Sequence, residues 1–218
     1  MIKACIFDMD GTTVNTINSI SHFANSALKK YNLPSIDTKK YKILVGDGAR
    51  VLVKRMIETV GGTDSDFENV LTEYNTTYDN DFMYLTKAYD GILDLLDSLN
   101  AKGVKTAILS NKPHETAIKV SNTLFGDKIK ICHGARASVP LKPDPSGVFE
   151  LLDLLGVEKD ECLYIGDTAT DMKTGKSSGL YTVGVLWGFR GRDELENSGA
   201  DVIISQPCEL LNVIDKLN

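Results

Sequence analysis

No run of apolar residues in this sequence approaches the ~20 needed to span a bilayer, and no signal peptide stands before the first apparent strand. A cytoplasmic protein with no membrane partner is therefore expected. There is no C-x-x-C spacing either. Cys5, Cys132, Cys162 and Cys208 lie far apart, three of them in apparent strands, and read as buried free thiols. Basic charge is not in excess: 24 Lys and Arg stand against 30 Asp and Glu, a net charge of −6. That balance disfavours a grip on nucleic-acid phosphates and suits an enzyme of small molecules, while being too mild to name a partner. What is present is ample apolar material. With 42% hydrophobic residues over 218 positions the chain can bury one large core or a core carrying an insertion.

The most informative stretch is Phe7-Asp8-Met9-Asp10-Gly11-Thr12, directly after the short β-branched run Ile2–Ile6. Two carboxylates one residue apart on an extended chain point to the same side. Close together they repel and desolvate each other unless a cation intervenes, which suits a hard divalent ion with oxygen ligands. Gly11 lets the backbone turn sharply beside a ligand, and either aspartate has the chemistry of a phosphate-accepting nucleophile. Alone, Asp-x-Asp-Gly-Thr also reads as an ordinary polar turn.

Along the chain, Ile17, Ile20, Phe23, Ala24, Ala27, Leu28 and Tyr31 recur at helical spacing up to Pro34. Further helical patterns cover Thr38–Leu44, the segment with Val51, Leu52, Arg55, Met56 and Val60, and Phe67 to Phe82, so residues 16–85 read as all helix. Beyond them strands and helices alternate. Strands are predicted at 104–109, 129–132, 161–165, 181–186 and 201–204, and a closing helix at 207–217. This pattern predicts an α/β protein, an open parallel Rossmann-like sheet of residues 1–15 and 86–218 with an inserted helical subdomain, 16–85.

In such sheets ligands gather at the carboxyl ends of strands. Strand 104–109 ends in Ser110-Asn111 before Lys112-Pro113, where a helix is predicted to start and backbone N–H groups would meet an anion. Strand 161–165 ends in Gly166-Asp167-Thr168-Ala169-Thr170-Asp171. Lys142-Pro143-Asp144-Pro145 opens another helix, with rigid prolines to aim a lysine at phosphate. Each feature has a plain structural explanation as a cap, a turn or a surface charge. Four carboxylates, a hydroxyl and a lysine converging at three strand ends and one helix start are hard to explain that way jointly.

Asp8-x-Asp10-Gly-Thr, Ser110-Asn111, Lys142-Pro143 and Gly166-Asp167-Thr168-x-x-Asp171 resemble, in order and spacing, the four signature motifs of the haloacid dehalogenase-like hydrolase superfamily. Val45-Gly46-Asp47-Gly48-Ala49, Ser110-Asn111-Lys112-Pro113 and Lys142-Pro143-Asp144-Pro145 are similar to its phosphoglycolate phosphatase branch. Thr13, Asn15 and Thr170 depart from the usual Leu, Asp and Asn. The resemblance implies a helical cap at 16–85 and a Mg²⁺-dependent phosphomonoester hydrolase. Asp8 would attack phosphorus, and Asp10 would protonate the leaving alkoxide and then activate water. Mg²⁺ would be held by Asp8 and Asp167 and the Asp10 carbonyl, with Asp171 ligating directly or through water. Ser110, Asn111 and Lys142 would hold the phosphate.

Selectivity falls to the cap, where Arg50 at the head of a helix is the candidate for a substrate carboxylate or second phosphate. His22 is read as packing or surface, His114 and His133 carry no role, and Trp187 and Phe189 are rim residues. The expected substrate is a small phosphorylated metabolite, 2-phosphoglycolate foremost, and the expected assembly a monomer or homodimer. Pyrophosphate, nucleotides and sugar phosphates remain open. A phosphomutase or a silent phosphate-binding protein is the alternative of another class. A dehalogenase, which needs neither Asp10 nor a metal, is disfavoured by Asp10, Asp167 and Asp171.

Overall fold

A computed structural model describes residues 1–218. The first strand, β1, is Ala4–Phe7, and all four of its residues are at most 1% exposed because it lies mid-sheet with helices on both faces. The chain leaves the sheet through β2 (Val14–Asn15) and builds four helices, α1 (Ile17–Lys30), α2 (Thr38–Leu44), α3 (Ala49–Val60) and α4 (Asp64–Asn80). It returns through β3 (Lys87–Ala88), which pairs antiparallel with β2, so the outgoing and incoming strands form a two-stranded neck. There follow α5 (Ile92–Ala101), β4 (Lys105–Pro113), α6 (His114–Phe125), β5 (Ile131–Ala135), α7 (Ser146–Leu155), β6 (Cys162–Gly166), α8 (Ala169–Ser178), β7 (Tyr181–Val185), α9 (Arg192–Asn197), β8 (Val202–Ile204) and α10 (Glu209–Leu217).

The six-stranded sheet has the order β5-β4-β1-β6-β7-β8 and every pairing is parallel. This is the predicted α/β architecture. One face packs on α5, α6 and α10 through Leu96, Leu99, Val120 and Ile214; the other packs on α7 through Val148, Leu151 and Leu155. Each such side chain contributes about 1.5–3 kcal/mol of burial. Helices α1 to α4 bury a separate cluster around Phe23, Leu28, Tyr41 and Met56, which also receives Phe189 from the loop after β7. That insertion ties the helical layer to the sheet.

Two local differences matter. Strand β4 runs four residues past its predicted end, shifting its register on β5 between Leu109 and Pro113, and α6 begins only at His114. Ser110 and Asn111 are therefore strand residues and do not cap a helix. Of the cysteines, Cys5 and Cys162 are buried and Cys132 is half-buried, but Cys208 is exposed before α10. All four are free thiols.

Candidate active site

The carboxyl ends of β1, β4 and β6 meet under the helical layer, and the first of them sets the geometry. Gly11 adopts φ +98° and a Cβ there would fall 2.3 Å from Asp167 Oδ2, so only glycine lets the turn after β1 approach the end of β6. Thr12 then donates its hydroxyl to Asp167 Oδ1 at 2.8 Å, and the backbone N–H of Phe189 donates to Oδ2 at 2.8 Å. Trp187 fixes the same turn from behind, its indole N–H donating to the Thr12 carbonyl at 2.8 Å. Trp187 and Phe189 thus hold the site's backbone as well as packing at its rim.

Asp171 is placed by its helix. Thr168 and Asp171 form a capping box at the start of α8, with Asp171 Oδ2 accepting from the Thr168 hydroxyl at 2.7 Å and the Thr168 N–H at 3.0 Å. Its other oxygen accepts from the Lys142 ammonium at 2.8 Å, and Lys142 also donates to Asp8 Oδ1 at 2.7 Å. The Asn111 side chain locks the loop carrying Lys142, accepting from the Lys142 N–H at 2.9 Å and donating to its carbonyl at 3.1 Å. Asn111 is in this way a brace for Lys142. The Ser110 hydroxyl accepts from the Lys112 N–H at 3.2 Å and lines the cavity beside Asp8 and Asp10.

Asp8, Asp167 and Asp171 are all buried, with one oxygen from each lying within 4.8 Å of the others. Burial, and then the charges of neighbouring aspartates, raise the Asp8 and Asp167 carboxyls above the ordinary carboxylate range. Lys142 opposes this at Asp8 without cancelling it. Burial by itself would lower the Lys142 ammonium, but the Asp171 and Asp8 charges hold it well above its usual value. A compact set of hard oxygen donors still carrying excess negative charge after its one lysine suits a divalent cation.

Above these groups the helical layer closes a cavity of about 60 Å³. Three bonds hold it down: Thr170 Oγ1 donates to Asp47 Oδ1 at 2.6 Å, Arg190 to the Val45 carbonyl at 2.9 Å, and Asn111 to the Gly46 carbonyl at 3.3 Å. Arg55 supports Asp47 from within the cap at 2.6 Å. Thr170, a departure from the family motif, is thus a cap contact.

Arg50 is not in this cavity. It pairs with Glu68 at 2.8 Å, stacks over Phe67, and its side chain is 67% exposed. Arg50, the expected substrate contact, stands apart from the cavity in this structure, because Arg50, Lys54 and Glu58 form the exposed stripe of α3 while Leu52, Val53 and Met56 face inward. The cation that does line the cavity is Lys112, which received no role from the sequence. Its signal was available: on a strand, residues two apart share a face, so Lys112 follows Ser110 into the site. His22 packs on Phe23 and Tyr84, as read.

Residues 5–185 match the sequence profile of haloacid dehalogenase-like hydrolases. The chain belongs to this family. Among its relatives is the phosphoglycolate phosphatase of Rhodospirillum rubrum, 33% identical over 92% of this chain and 86% of that protein. The N-acetylmuramic acid 6-phosphate phosphatase of Pseudomonas aeruginosa is 28% identical over 99% of this chain and 96% of its own. A solved structure from Lactobacillus delbrueckii subsp. bulgaricus, proposed to be a phosphoglycolate phosphatase, superimposes with a TM-score of 0.92 at 31% identity, covering 97% and 98% of the two chains. This haloacid dehalogenase-like protein is a phosphatase of the phosphoglycolate phosphatase-like branch, and its acidic cluster is the expected seat of a divalent metal.

Proposed function

We propose that the protein hydrolyses a small phosphomonoester, 2-phosphoglycolate foremost, through an aspartyl phosphate on Asp8 with Mg²⁺ as the cofactor. The observation that carries this reading is the cavity of about 60 Å³ with Asp8 and Asp10 in its floor. A water needs roughly 10–15 Å³ of such space, so the cavity suits a phosphoryl group with a short leaving group better than an acetylated amino-sugar phosphate. Size therefore favours the substrate of the Rhodospirillum relative over that of the Pseudomonas one.

Asp8 offers the oxygen not held by Lys142 to phosphorus, and Asp10 gives its proton to the departing alkoxide. Asp10 then takes a proton from the water that cleaves the aspartyl phosphate, releasing phosphate and restoring both carboxyls. Lys142 offsets the charge on the phosphoryl oxygens, and Ser110 positions one of them. Asp8, Asp167 and the Asp10 carbonyl would hold Mg²⁺, with Asp171 in support, and the ion would supply charge stabilisation for the transferring group. The closed cap excludes bulk water during the first step.

The test is phosphate release from 2-phosphoglycolate, N-acetylmuramic acid 6-phosphate, pyrophosphate, a nucleoside monophosphate and glucose 6-phosphate, each with Mg²⁺ and with chelator. Metal-dependent release led by phosphoglycolate is expected. Release led by a larger ester overturns the substrate, and undiminished release in chelator overturns the metal.

A further inference from the structure

Lys112 is the group on the cavity wall that the chemistry above leaves unused. Its side chain is 5% exposed, and its ammonium lies 3.1 and 3.2 Å from the two Asp10 oxygens and 4.4 Å from the centre of the Tyr78 ring. Among the residues lining the cavity it is the sole cation. Lys142 is committed to the other end of the ester, since its ammonium is held between Asp8 and Asp171 beside the phosphoryl position. An ammonium has three N–H donors, and one carboxylate partner leaves capacity on the cavity side.

Resting on the hydrolase reading of Asp8 and Asp10, we propose that Lys112 is the specificity-determining residue, binding a carboxylate carried by the leaving group of the phosphate ester. Its position relative to the acid makes this geometric. Asp10 must reach the ester oxygen at roughly 2.6–3.2 Å to protonate it. The Lys112 ammonium, 3.1 Å from Asp10, is then within roughly 6 Å of that oxygen, a span matched by the carboxylate of a two-carbon hydroxy acid and missed by one at the far end of a sugar. The Tyr78 ring backs the ammonium and limits its travel. Asp79 also lines the cavity, its carboxylate accepting from the Thr116 hydroxyl, and it is the group that would select the opposite charge.

Three esters of similar size separate these roles: phosphoglycolate, ethyl phosphate and phosphoethanolamine. The wild-type protein with Mg²⁺ is expected to show a kcat/KM for phosphoglycolate at least about tenfold above both others. Lys112→Met should lose at least about tenfold more on phosphoglycolate than on ethyl phosphate, chiefly in KM, and Lys112→Arg should restore part of it. Equal losses on the two esters overturn the proposal, since Lys112 would then act through Asp10 alone. A preference for phosphoethanolamine overturns it in favour of Asp79. Hydrolysis of p-nitrophenyl phosphate without preference for phosphoglycolate overturns Lys112's role alone, whereas release from no ester overturns the hydrolase reading with it. Should Lys112→Met fail to fold, inhibition of the wild type by 3-phosphonopropionate against propylphosphonate decides the matter: at least about tenfold tighter inhibition by the carboxylate supports the role, and equal inhibition overturns it.

Discussion

At the strand ends beneath the cavity, Asp8, Asp167, Asp171 and Lys142 are buried and each is bonded to another part of the core; where the helices form the cavity's roof, the lining is Ile20, Leu52, Tyr74 and Tyr78, with glycines in the loop before α3. The floor carries charge fixed by strand ends and a helix cap. The roof carries shape and is joined to the floor by a few hydrogen bonds. Phosphoryl transfer needs charges held still, since a fixed group does not reorganise during reaction. Selection needs a wall that fits the leaving group and lifts to admit it. Lys112 stands between the two, a core residue with its ammonium against a cap aromatic.

The contrast can be broken most sharply at the floor. Asp8→Asn should reduce kcat by at least about 10⁴-fold while leaving the metal-free melting temperature no lower than wild type, because it removes a buried charge crowded by Asp171 and Asp10. A variant that unfolds as it loses activity would place Asp8 among structural groups. Asp10→Asn should cost about 10²–10⁴-fold on alkyl phosphates and far less on p-nitrophenyl phosphate, whose leaving group needs no proton. Equal losses would deny Asp10 the acid role.

The metal provides a smaller test. Burial and like charge raise Asp8 and Asp167 in the metal-free protein, so their contribution to stability is present at low pH and lost as pH rises through the raised values. A cation must displace those protons, so stabilisation by Mg²⁺ should grow from about pH 6 to about pH 8, read as the shift in melting temperature on adding the ion. A shift that shrinks over that range would place the ion elsewhere. At the roof, Thr170→Val removes the bond to Asp47, which is worth about 1 kcal/mol of cap closure, and should raise KM about fivefold with kcat little changed. Arg50→Ala should change KM less than about twofold for any ester, since this arginine faces solvent beside Glu68.

Legibility followed the same division. The strands before Asp8 and Asp167 and the helices α1 to α4 are visible in apolar periodicity, which burial against a sheet or a neighbouring helix imposes on the residues themselves. Boundaries were less legible. The extension of β4 through Ser110 and Asn111 depends on pairing with β5, and Pro113 looked locally like the start of a helix. Asp171 was legible as a member of the acidic cluster, whereas its capping box with Thr168 was a second signal in the same residues.

The sequence by itself determined the chemistry: carboxylates at two strand ends, a lysine behind prolines and the turn that joins them, since side-chain identity and two-residue alternation fix what a strand end presents. Only the tertiary structure decided which cation lines the cavity. Arg50 and Lys112 are both basic residues near a helix start, but one sits on the outer stripe of α3 and the other on the inner face of β4 under Tyr78. The difference arises from how the helical layer seats on the sheet, through Phe189, Asp47 and Arg190, contacts between residues far apart in the chain that no local pattern contains.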